Sequence, residues 1–516
     1  MNVQRVAIIL FLLAALILNP VCTFASGCNW EMHRGNPART GAFADPCGLS
    51  LNRFAKYWEY DTNASTISPP IVYGDKIVYI SDGGRLNCIS SNGRKEWSPK
   101  TLGSVDSDTI PAIWNDLIFV PGWRSIDVYY LSTGRERFSI ETNTKVDSVL
   151  VVPERGLFYT STQKGVSSIT YLKNPLQQKK DWTEQLSGET AGMPSYSAGR
   201  VYVASEKSVH CFNYRTGSKI WEKTLSKDIF EQSVVVSGDN CFVSFESGEM
   251  ICLNSSNGSE KWNIDIGDSI ETLPSIYDDS LMVGVKIGSK NSLKAIKISD
   301  GSSKWIKSLK VGEEIVSSPI SSSKTYFATK LSGSSDTQGV IYCVDSKSGK
   351  TLWQIEHTAG FTSAPAISDG SIFICDESGN ICSFGAGAKY LGFQLGQSSL
   401  TIDSTNISID SEPVIAHDRT LIPARYVIEP LGGWVRWDAA ERKVTSYFAG
   451  EIVEFWIGKN QARVDGKIVE IDPNPGVVPS IINGRTMVPF RFLGESHGCN
   501  VDWIAETKEI RLTYKK

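Results

Sequence analysis

Residues Cys211–Trp221, CFNYRTGSKIW, decide the fold, because the same phrase recurs along the chain. The phrase consists of a small residue, a polar turn that ends in Gly, and a Trp four residues after that Gly. Three further copies are Cys252–Trp262 (CLNSSNGSEKW), Ala295–Trp305 (AIKISDGSSKW) and Cys343–Trp353 (CVDSKSGKTLW). A fixed period of about 40 residues is the signature of a stacked or circular array of units. We therefore predict a repeat protein.

Each unit also contains short apolar runs that are separated by turn residues. Examples are Pro69–Ser81 (PPIVYGDKIVYIS) and Pro365–Asp376 (PAISDGSIFICD). Such β-rich runs, broken by Gly, Asp and Asn, are typical of antiparallel strands, and four strands per unit correspond to one blade of a β-propeller. The Gly of the phrase is expected to adopt a positive φ in a tight turn. The aromatic residue after it is expected to lie on the outer strand and to pack against the next blade.

Eight positions along the chain carry this outer-strand aromatic residue, and we expect them to dock neighbouring blades: Trp58, Trp97, Phe138, Trp182, Trp221, Trp262, Trp305 and Trp353. No complete unit precedes Trp58, and the last unit, Phe361–Gly385, has no Trp after its final turn. The N-terminal strand is therefore predicted to complete the last blade, which would leave no free sheet edge. The prediction is a mainly β fold with an eight-bladed propeller over residues 58–387, preceded by a lead-in over residues 28–57. Seven blades is the alternative.

The repeated phrase, together with Trp30–Gly41 (WEMHRGNPARTG), resembles the pyrroloquinoline-quinone-like propeller repeat. This family includes quinone-dependent alcohol dehydrogenases and also non-catalytic proteins such as the BamB-type lipoprotein of the outer-membrane assembly machine. The resemblance covers residues 30–387. It implies the quinoprotein-like propeller fold and says little about activity, since one fold hosts many functions.

A different motif occurs twice after Leu395, in Pro413–Tyr447 and again in Pro479–Thr513. Each copy predicts two strands, a short helix and two further strands. The helices are placed at Ala424–Pro430 and Phe490–His497, because each begins after Pro and ends near Gly. The C-terminal region, residues 388–516, is thus predicted to be a small α+β domain of two repeats.

This motif resembles the copper amine oxidase N-terminal-like domain, a stalk module of bacterial exported proteins. The residues that form the core of the repeat in the two copies are Arg419, Pro423, Arg425 and Trp437, and then Arg485, Pro489, Arg491 and Trp503. The resemblance implies an attachment module rather than amine oxidation, which needs a separate catalytic domain with three His ligands to copper.

The first 27 residues indicate an export signal. Arg5 precedes an apolar run of 13 residues, Val6–Leu18, which is too short to span a bilayer as a helix. Cleavage after Ala25 is one outcome. Lipidation of Cys28 is the other, because the sequence before it partly matches a lipoprotein box. Either outcome predicts a protein that is secreted or held at the surface or in the envelope of a bacterium, with membrane contact only through a lipid on Cys28.

The distribution of charge argues against one class of partner, and the positions of the cysteines argue against most disulfides. The chain has 52 Lys and Arg residues against 56 Asp and Glu residues, without basic runs, which argues against a nucleic-acid partner. Five cysteines fall on the same strand of different blades, mostly at one position, and are expected to be unpaired and buried: Cys88, Cys211, Cys252, Cys343 and Cys382. Two pairs are the exceptions that could form disulfides, Cys375 with Cys382 across a hairpin and Cys28 with Cys47.

No catalytic motif emerges from the sequence. H-E-x-x-H, G-x-S-x-G and P-loop patterns are absent. The five histidines are scattered without an H-x-H pair, which argues against copper, and His210 and His357 are expected to be structural. The quinone-dependent dehydrogenases carry a vicinal disulfide, whereas this sequence has no Cys-Cys dipeptide. We therefore predict no enzyme, no cofactor and no metal site.

The resulting hypothesis is a non-catalytic, exported scaffold or binding protein of the cell envelope. The propeller would be a platform for a protein or ligand, and the stalk domain would attach it to an envelope protein or wall polymer. Trp114 and Trp123 are candidate contact residues on the propeller, with packing at a blade seam as the alternative. The alternative functions are a dehydrogenase that depends on pyrroloquinoline quinone and calcium, and a surface protein that binds cell wall or carbohydrate.

Overall fold

The computed structural model describes residues 30, 32–42 and 54–514, with gaps at 66, 92, 103–104, 106–108, 143, 154, 164–165, 189–191, 334–337, 369, 387–389, 404 and 449–450. The export signal, Cys28 and Cys47 lie outside the described residues. Eight small antiparallel sheets are followed by a domain of three sheets and two helices. Within the described residues, no helix combines the length and the apolar character needed to cross a bilayer.

The eight small sheets are the blades of a propeller. The strands of blades 1–4 are β2 (Ile71–Tyr73), β3 (Lys76–Ser81), β4 (Arg85–Ser90), β5 (Lys95–Thr101), β6 (Ala112–Trp114), β7 (Leu117–Pro121), β8 (Ser125–Tyr130), β9 (Glu136–Glu141), β10 (Lys145–Val152), β11 (Gly156–Gln163), β12 (Val166–Leu172), β13 (Trp182–Gln185), β14 (Ser195–Ser197), β15 (Arg200–Ser205), β16 (Ser208–Asn213) and β17 (Lys219–Thr224). A short 3₁₀ turn, Pro175–Gln177, lies between β12 and β13.

Blades 5–8 follow the same order, with a divided first strand in blades 6 and 7. Their strands are β18 (Ile229–Ser237), β19 (Asn240–Phe245), β20 (Glu249–Asn254), β21 (Glu260–Asp265), β22 (Ser269–Ile270), β23 (Ser275–Tyr277), β24 (Ser280–Ile287), β25 (Lys290–Lys297), β26 (Ser303–Ser308), β27 (Glu313–Ile315), β28 (Ile320–Ser321), β29 (Lys324–Leu331), β30 (Gly339–Asp345), β31 (Thr351–His357), β32 (Ala366–Ser368), β33 (Ser371–Cys375) and β34 (Asn380–Ala386).

The ring is closed by the N-terminal strand β1 (Phe54–Asp61). This strand pairs antiparallel with β34 and supplies the fourth strand of blade 8. The prediction of an eight-bladed propeller is thereby confirmed over the seven-bladed alternative. Closure by a strand from the other end of the chain leaves each blade with a neighbour on both sides, so no blade is terminal.

The repeated phrase forms a hairpin between the third and the fourth strand of a blade. In blade 4, the small residue Cys211 lies opposite Trp221, and the pairing of the two strands shifts register immediately afterwards. The same shift follows Cys252, Ala295 and Cys343 in later blades. A small side chain leaves room for the indole on the neighbouring strand, and the bulge re-aims the outer strand. The phrase therefore encodes one bulged hairpin per blade.

The cysteines follow the prediction only in part. All eight cysteines in the described part of the chain are buried and unpaired. The predicted facing of Cys375 and Cys382 is wrong, because β34 places Cys382 opposite Ile374 and places Ile381 opposite Cys375. Neighbouring positions on a strand point to opposite faces, so the two thiols lie on different faces of blade 8.

Cys382 lies on the third strand of its blade, as predicted, but one position away from the place that Cys211 occupies opposite its Trp. In blade 8 it is Ser383 that lies opposite Trp58, whereas Cys382 lies opposite Glu59. The last blade contains no Gly-x-x-x-Trp in its own sequence, so the alignment of its strand had no fixed reference. Cys382 consequently faces blade 7 instead of a Trp ring.

The C-terminal domain is built from two interlocked repeats. Its elements are β35 (Tyr390–Gln394), β36 (Ser399–Ile402), β37 (Thr405–Ser408), β38 (Val414–Ala416), β39 (Arg419–Pro423), α1 (Ala424–Leu431), β40 (Trp434–Asp438), β41 (Lys443–Phe448), β42 (Glu451–Trp456), β43 (Gln461–Val464), β44 (Lys467–Glu470), β45 (Ser480–Ile482), β46 (Arg485–Pro489), α2 (Phe490–Ser496), β47 (Cys499–Ile504) and β48 (Glu509–Tyr514). The order of strand, strand, helix, strand, strand in each copy agrees with the prediction.

Pairing between the repeats explains why two copies are needed. The central sheet joins β39 of the first repeat to β46 of the second. The final strand β48 pairs with β35 at the start of the domain, and β41 pairs with β42. Each half therefore completes a sheet of the other. A buried apolar cluster continues from blade 8 into this domain and includes Phe384, Leu391 and Ile428, so the two domains share a core.

Candidate binding site

Six of the eight aromatic residues predicted to dock blades contact the next blade. Six of the indoles donate Nε1–H to a backbone carbonyl oxygen of the next unit at 2.9–3.1 Å: Trp58 to Ser91, Trp97 to Leu131, Trp182 to Tyr214, Trp221 to Ser255, Trp262 to Ile298, and Trp305 to Ser346. Phe138 has no such donor, and Arg137 lies 5.7 Å from its ring. Trp353, before the divergent last blade, packs against Tyr326 with ring centroids 5.6 Å apart.

The hub of the propeller is occupied by the chain itself. Residues 30 and 32–42, the hub segment, exchange backbone hydrogen bonds with the first strands of blades 1, 4, 5, 6 and 7. The pairs are Trp30 with Val72, Pro37 with Tyr196, Ala38 with Val236, Thr40 with Ile276, and Gly41 with Ser321, at 2.7–3.2 Å. Only a segment that runs where these first strands converge can reach all five blades. The hub segment therefore fastens the blades together at the axis.

Two buried arginines complete the hub. Arg34 and Arg39 are 1% and 2% exposed. Arg34 donates to the carbonyl oxygens of Pro274 and Pro319, and Arg39 donates to those of Pro194 and Val149. Burial lowers the pKa of Arg34 to about 10 and that of Arg39 to about 9. Both guanidinium groups stay charged at neutral pH and act as multi-pronged donors to the loops that precede the inner strands.

The junction between the two domains contains two clefts. Helix α1 lies against β1, and the clefts, of about 700 Å³ and about 470 Å³, open on either side of it. Lys56, Arg425 and Glu429 line both clefts. Cavities of this size fall in the range of ordinary ligand sites.

Lys56 connects the two domains electrostatically. Its Nζ lies 2.9 Å from a Glu59 carboxylate oxygen and 3.2 Å from one of Glu429. Burial alone would lower the pKa of Lys56, but Glu429 and Glu59 together raise it above its usual value. A second bridge, Arg436 to Glu356 at 3.0 Å, lies beside the smaller cleft. The two pairs join the stalk domain to blade 8 through Lys56 and to blade 7 through Glu356.

The larger cleft, the junction cleft from here on, combines aromatic and charged side chains. Trp437 and Ile481 are 45% and 48% exposed and line it. Asp410 accepts a hydrogen bond from Tyr426 Oη at 2.5 Å and pairs with Arg485. Burial, and next the Asp410 carboxylate, raise the pKa of Tyr426, so it is a neutral donor at physiological pH. A mixture of aromatic rings and guanidinium groups is typical of sites that bind proteins.

The residues predicted as the stalk repeat core are placed symmetrically. Pro423 and Pro489 precede the two helices. The arginines pair with nearby carboxylates: Arg419 with Asp472, Arg485 with Asp410, Arg425 with Glu429, and Arg491 with Glu495. Trp437 and Trp503 are not in the hydrophobic core, since they are 45% and 44% exposed. Trp437 alone of the two faces the junction cleft.

The other candidate contact residues lie away from the junction. Trp114 packs on Phe119 with ring centroids 6.4 Å apart. Trp123 is 55% exposed, and Lys145 Nζ lies 5.8 Å from its ring. Packing at a blade seam therefore fits Trp114 better than Trp123.

A cluster of polar side chains lies between blades 7 and 8, close to the junction. Ligand-type atoms of Glu59, His357 and Cys382 are within 4.8 Å of one another, and Asp376 accepts a hydrogen bond from His357 Nε2 at 2.9 Å. Burial raises the pKa of the Cys382 thiol, and the carboxylates of Glu59 and Asp376 raise it further. Sequence reasoning treated His357 as structural and missed this cluster, because three separate chain segments form it only when β1 closes the ring.

Comparisons with known proteins agree with both domains. Residues 205–336 and 319–445 match the family model "Outer membrane protein assembly factor BamB". Residues 401–515 match the model "Copper amine oxidase N-terminal domain".

Two curated relatives carry the name outer membrane protein assembly factor BamB. The Shewanella oneidensis protein is 20% identical over 163 residues, which is 28% of this chain and 40% of that protein. The Yersinia pestis protein is 21% identical over 243 residues, which is 42% of this chain and 60% of that protein. The chain thus spans less than two thirds of either relative.

Solved structures share the fold. A quinohemoprotein alcohol dehydrogenase from Pseudomonas putida HK5 superposes with a TM-score of 0.55 at 10% identity, over 76% of this chain and 82% of that one. The quinohemoprotein alcohol dehydrogenase of Comamonas testosteroni gives a TM-score of 0.54 at 10% identity, over 77% and 84%. These superpositions support the propeller fold alone. The family models show that residues 205–445 are similar to pyrroloquinoline-quinone-like repeats of the BamB type and that residues 401–515 are similar to the copper amine oxidase N-terminal domain.

Proposed function

We propose that this chain is a non-catalytic scaffold of the bacterial cell envelope and that its junction cleft binds a polypeptide segment of an envelope protein. The observation that carries the proposal is the cleft itself, which is held open between two domains that share a core and is lined by Trp437, Tyr426 and Arg485. Trp, Tyr and Arg are the residue types that dominate binding energy at protein interfaces.

The charged groups of the junction cleft support binding over catalysis. In the described part of the chain, Arg485 pairs with Asp410, Arg425 with Glu429, and Lys56 with Glu429. Such mutual pairing stabilises the charged form of each group, whereas a general acid or base needs a pKa near the working pH. The lining is suited to steer and orient a polar partner.

The rigid hub fits a scaffold as well. The hub segment joins five blades through backbone hydrogen bonds, and both of its arginines are engaged by carbonyl oxygens. A disc fixed at its axis presents its loops without rearrangement, which reduces the entropy lost on binding. The relatives named outer membrane protein assembly factor make an envelope protein the natural class of partner.

The stalk domain and the N-terminus complete the proposal. We infer that residues 1–27 direct export, that Cys28 carries a lipid if the lipoprotein box is used instead of cleavage after Ala25, and that the stalk domain helps to attach the propeller to an envelope component. A wall polymer is the second candidate for that attachment. The dehydrogenase alternative is confined to likeness of fold, at 10% identity.

The test uses a matched pair of tryptophans. A photo-crosslinking amino acid is placed at Trp437 or at Trp503, which has the same exposure in the other stalk repeat but lies outside the junction cleft. Crosslinks formed in the producing bacterium are identified by mass spectrometry, and the affinity of the purified partner is then measured. We expect a discrete adduct from position 437 only, and binding that is weakened at least ~10-fold by Trp437→Ala, a loss of about 1.4 kcal/mol, but not by Trp503→Ala.

Two results would overturn the proposal. One is an equal crosslinking pattern from both positions, or none from either. The other is saturable binding of pyrroloquinoline quinone with Ca²⁺ by the purified chain, accompanied by oxidation of an alcohol with a dye acceptor.

A further inference from the structure

We propose that Glu59, His357, Asp376 and Cys382 form a binding site for one Zn²⁺-like transition-metal ion between blades 7 and 8. Glu59 also lines the junction cleft, but the proposed role of the metal is structural and does not depend on polypeptide binding there. The metal would act as a structural clasp on the strand that closes the ring.

The topology brings the four groups together from three places in the chain. Glu59 on β1 and Cys382 on β34 are direct partners in the pairing of these strands. Asp376 follows β33, in the hairpin that leads into β34, and His357 is the last residue of β31 in the neighbouring blade. A metal bound here would therefore tie the N-terminal strand, the last hairpin and blade 7 to one point.

The separations of the ligand atoms fit tetrahedral coordination. Cys382 Sγ lies 3.7 Å from His357 Nε2 and 3.6 Å from Asp376 Oδ2. With Zn–S near 2.3 Å and Zn–N or Zn–O near 2.0–2.1 Å, tetrahedral geometry puts sulfur about 3.5 Å from nitrogen or oxygen, and nitrogen about 3.3 Å from oxygen. Among these three ligands, the contact between His357 and Asp376, now 2.9 Å, has to lengthen by a few tenths of an ångström. Glu59 has to move towards the other ligands, since its oxygen is placed only within 4.8 Å of His357 and Cys382.

The fourth ligand comes from the strand that closes the ring. The Glu59 carboxylate has a ligand oxygen within 4.8 Å of both His357 Nε2 and Cys382 Sγ. One Glu59 oxygen is bonded to Lys56 Nζ at 2.9 Å, and a carboxylate can accept from Lys56 while its other oxygen binds a metal. A carboxylate that is fixed by an outer partner is a typical arrangement around protein metals.

The chemistry of the donors selects the class of metal. A thiolate and an imidazole with two carboxylates suit Zn²⁺, or Co²⁺ in its place, whereas Ca²⁺ and Mg²⁺ prefer sets of oxygen ligands. His357, Asp376 and Cys382 are 6%, 3% and 0% exposed, so these three ligands are shielded from competing water, while Glu59 is the exposed ligand through which an ion can enter. On binding, the Cys382 thiol proton leaves to solvent and the His357 Nε2 proton moves to Nδ1, which leaves both ligand atoms free.

Blade 4 gives an internal comparison. His210 and Glu222 lie opposite each other at the strand positions equivalent to Cys382 and Glu59. His210 there contacts the hydroxyl groups of Ser205 and Ser187 at 3.1 and 3.3 Å. At the corresponding place, blade 8 has the Cys382 thiol, the Asp376 carboxylate as a second carboxylate, and His357 from blade 7. The ligand set is thus particular to the blade that closes the ring.

The experiment follows metal uptake by the full-length mature chain after it has been stripped with a chelator. Co²⁺ is the probe, because a tetrahedral site with one thiolate gives a sulfur-to-cobalt charge-transfer band and intense visible d–d bands. We expect one Co²⁺ per chain, displacement by Zn²⁺, and a higher Tm in the metal-loaded protein. Cys382→Ser should remove the charge-transfer band. Cys343→Ser changes another buried thiol, on β30 of blade 7, and should leave the band unchanged.

A second variant keeps the test decisive if Cys382→Ser does not fold. Glu59→Gln changes a residue that is partly accessible, and it should weaken Co²⁺ binding by at least ~10-fold. The proposal is overturned if the stripped chain takes up no Co²⁺ at a saturating concentration. It is equally overturned if the cobalt–thiolate band survives Cys382→Ser, or if Glu59→Gln binds as tightly as the parent chain.

Discussion

Gly258 lies directly against the indole of Trp221, and a Cβ at Gly258 would stand 2.7 Å from Trp221 Cε3. The same turn accepts the Trp221 Nε1–H through the Ser255 carbonyl oxygen at 3.1 Å. One turn of blade 5 thus receives both the face and the N–H of a ring from blade 4. The relationship recurs for Gly93 with Trp58, Gly134 with Trp97, Gly217 with Trp182, and Gly349 with Trp305. Each copy of the phrase therefore contributes to two seams. Its turn with Gly receives the Trp of the preceding blade, and its own Trp packs on the turn of the following blade.

The first prediction follows from this close approach. Gly258→Ala should destabilise the protein by about 1–3 kcal/mol, because the new methyl group overlaps the ring and the residue has a φ of 72°. Gly238→Ala is the matched control, since Gly238 also has a positive φ, 54°, but has no atom within 4 Å of its Cβ position. Unfolding in urea measures the difference, and equal losses in the two variants would contradict the proposed seam.

The ring itself gives the second prediction. Trp221→Phe keeps most of the buried area but leaves the Ser255 carbonyl oxygen without this donor, so a loss of about 1 kcal/mol is expected. Trp221→Ala also creates a cavity and should cost about 3–5 kcal/mol. Trp123→Ala, at a position that is 55% exposed, should change the free energy of unfolding by under ~0.5 kcal/mol. A Trp221→Ala variant as stable as Trp123→Ala would exclude a docking role.

The third prediction concerns the junction of the two domains. Lys56→Met removes the cation that Glu59 and Glu429 share, while Glu429 keeps Arg425 and Glu59 is partly accessible, so we expect a loss of about 2 kcal/mol. Arg436→Met breaks the bridge to Glu356, whose partners are 43% and 40% exposed, and should cost under ~1 kcal/mol. Thermal unfolding of the two variants is compared with that of the parent chain. If Lys56→Met is as stable as Arg436→Met, Lys56 does not hold the junction.

The repeat phrase was a strong predictor because its information is local. A turn with Gly, followed by Trp on the outer strand, specifies a hairpin within about 11 residues, and copies at a regular interval specify a ring. The order of elements in the stalk domain was predictable for the same reason, from Pro before each helix and Gly after it. Closure by β1 could be predicted by counting strands. The last unit, Phe361–Gly385, lacked an outer strand, and the outer strand with Trp58 had no unit before it.

The hub, the junction and the metal cluster depend on contacts between distant segments. The hub segment bonds to residues as far along the chain as Ser321, and nothing in WEMHRGNPARTG indicates those partners. The exact strand position of Cys382 could not be predicted, because blade 8 takes its Trp from β1 and its own sequence contains no Gly-x-x-x-Trp that fixes the alignment of the strand. In blade 4 the small residue Cys211 lies opposite Trp221. Placing the small residue Ser383 opposite Trp58 in the same way would have predicted the pairing of Glu59 with Cys382.

The last prediction is a pH dependence of stability that arises from His497. Its ring is buried in the stalk domain, with Nε2 2.9 Å from Ser446 Oγ. Burial lowers the pKa of His497 to about 4, against the opposing effects of a backbone hydrogen bond with Phe448 and the Asp465 carboxylate. The ordinary pKa in the unfolded chain is near 6.5, so the unfolded state binds the proton first.

The proton that the unfolded chain binds first makes the folded state less stable at low pH. The contribution of neutral His497 is fully present above pH 6.5 and is lost progressively as the pH falls towards 4, with a total of about 3 kcal/mol. His497→Gln should flatten the decline in the free energy of unfolding over this interval, whereas His417→Gln, at an exposed position, should leave it unchanged. Urea unfolding at several pH values from 7 down to 4 measures the slope. A decline of equal steepness in the parent chain and in His497→Gln would show that other groups cause the acid sensitivity.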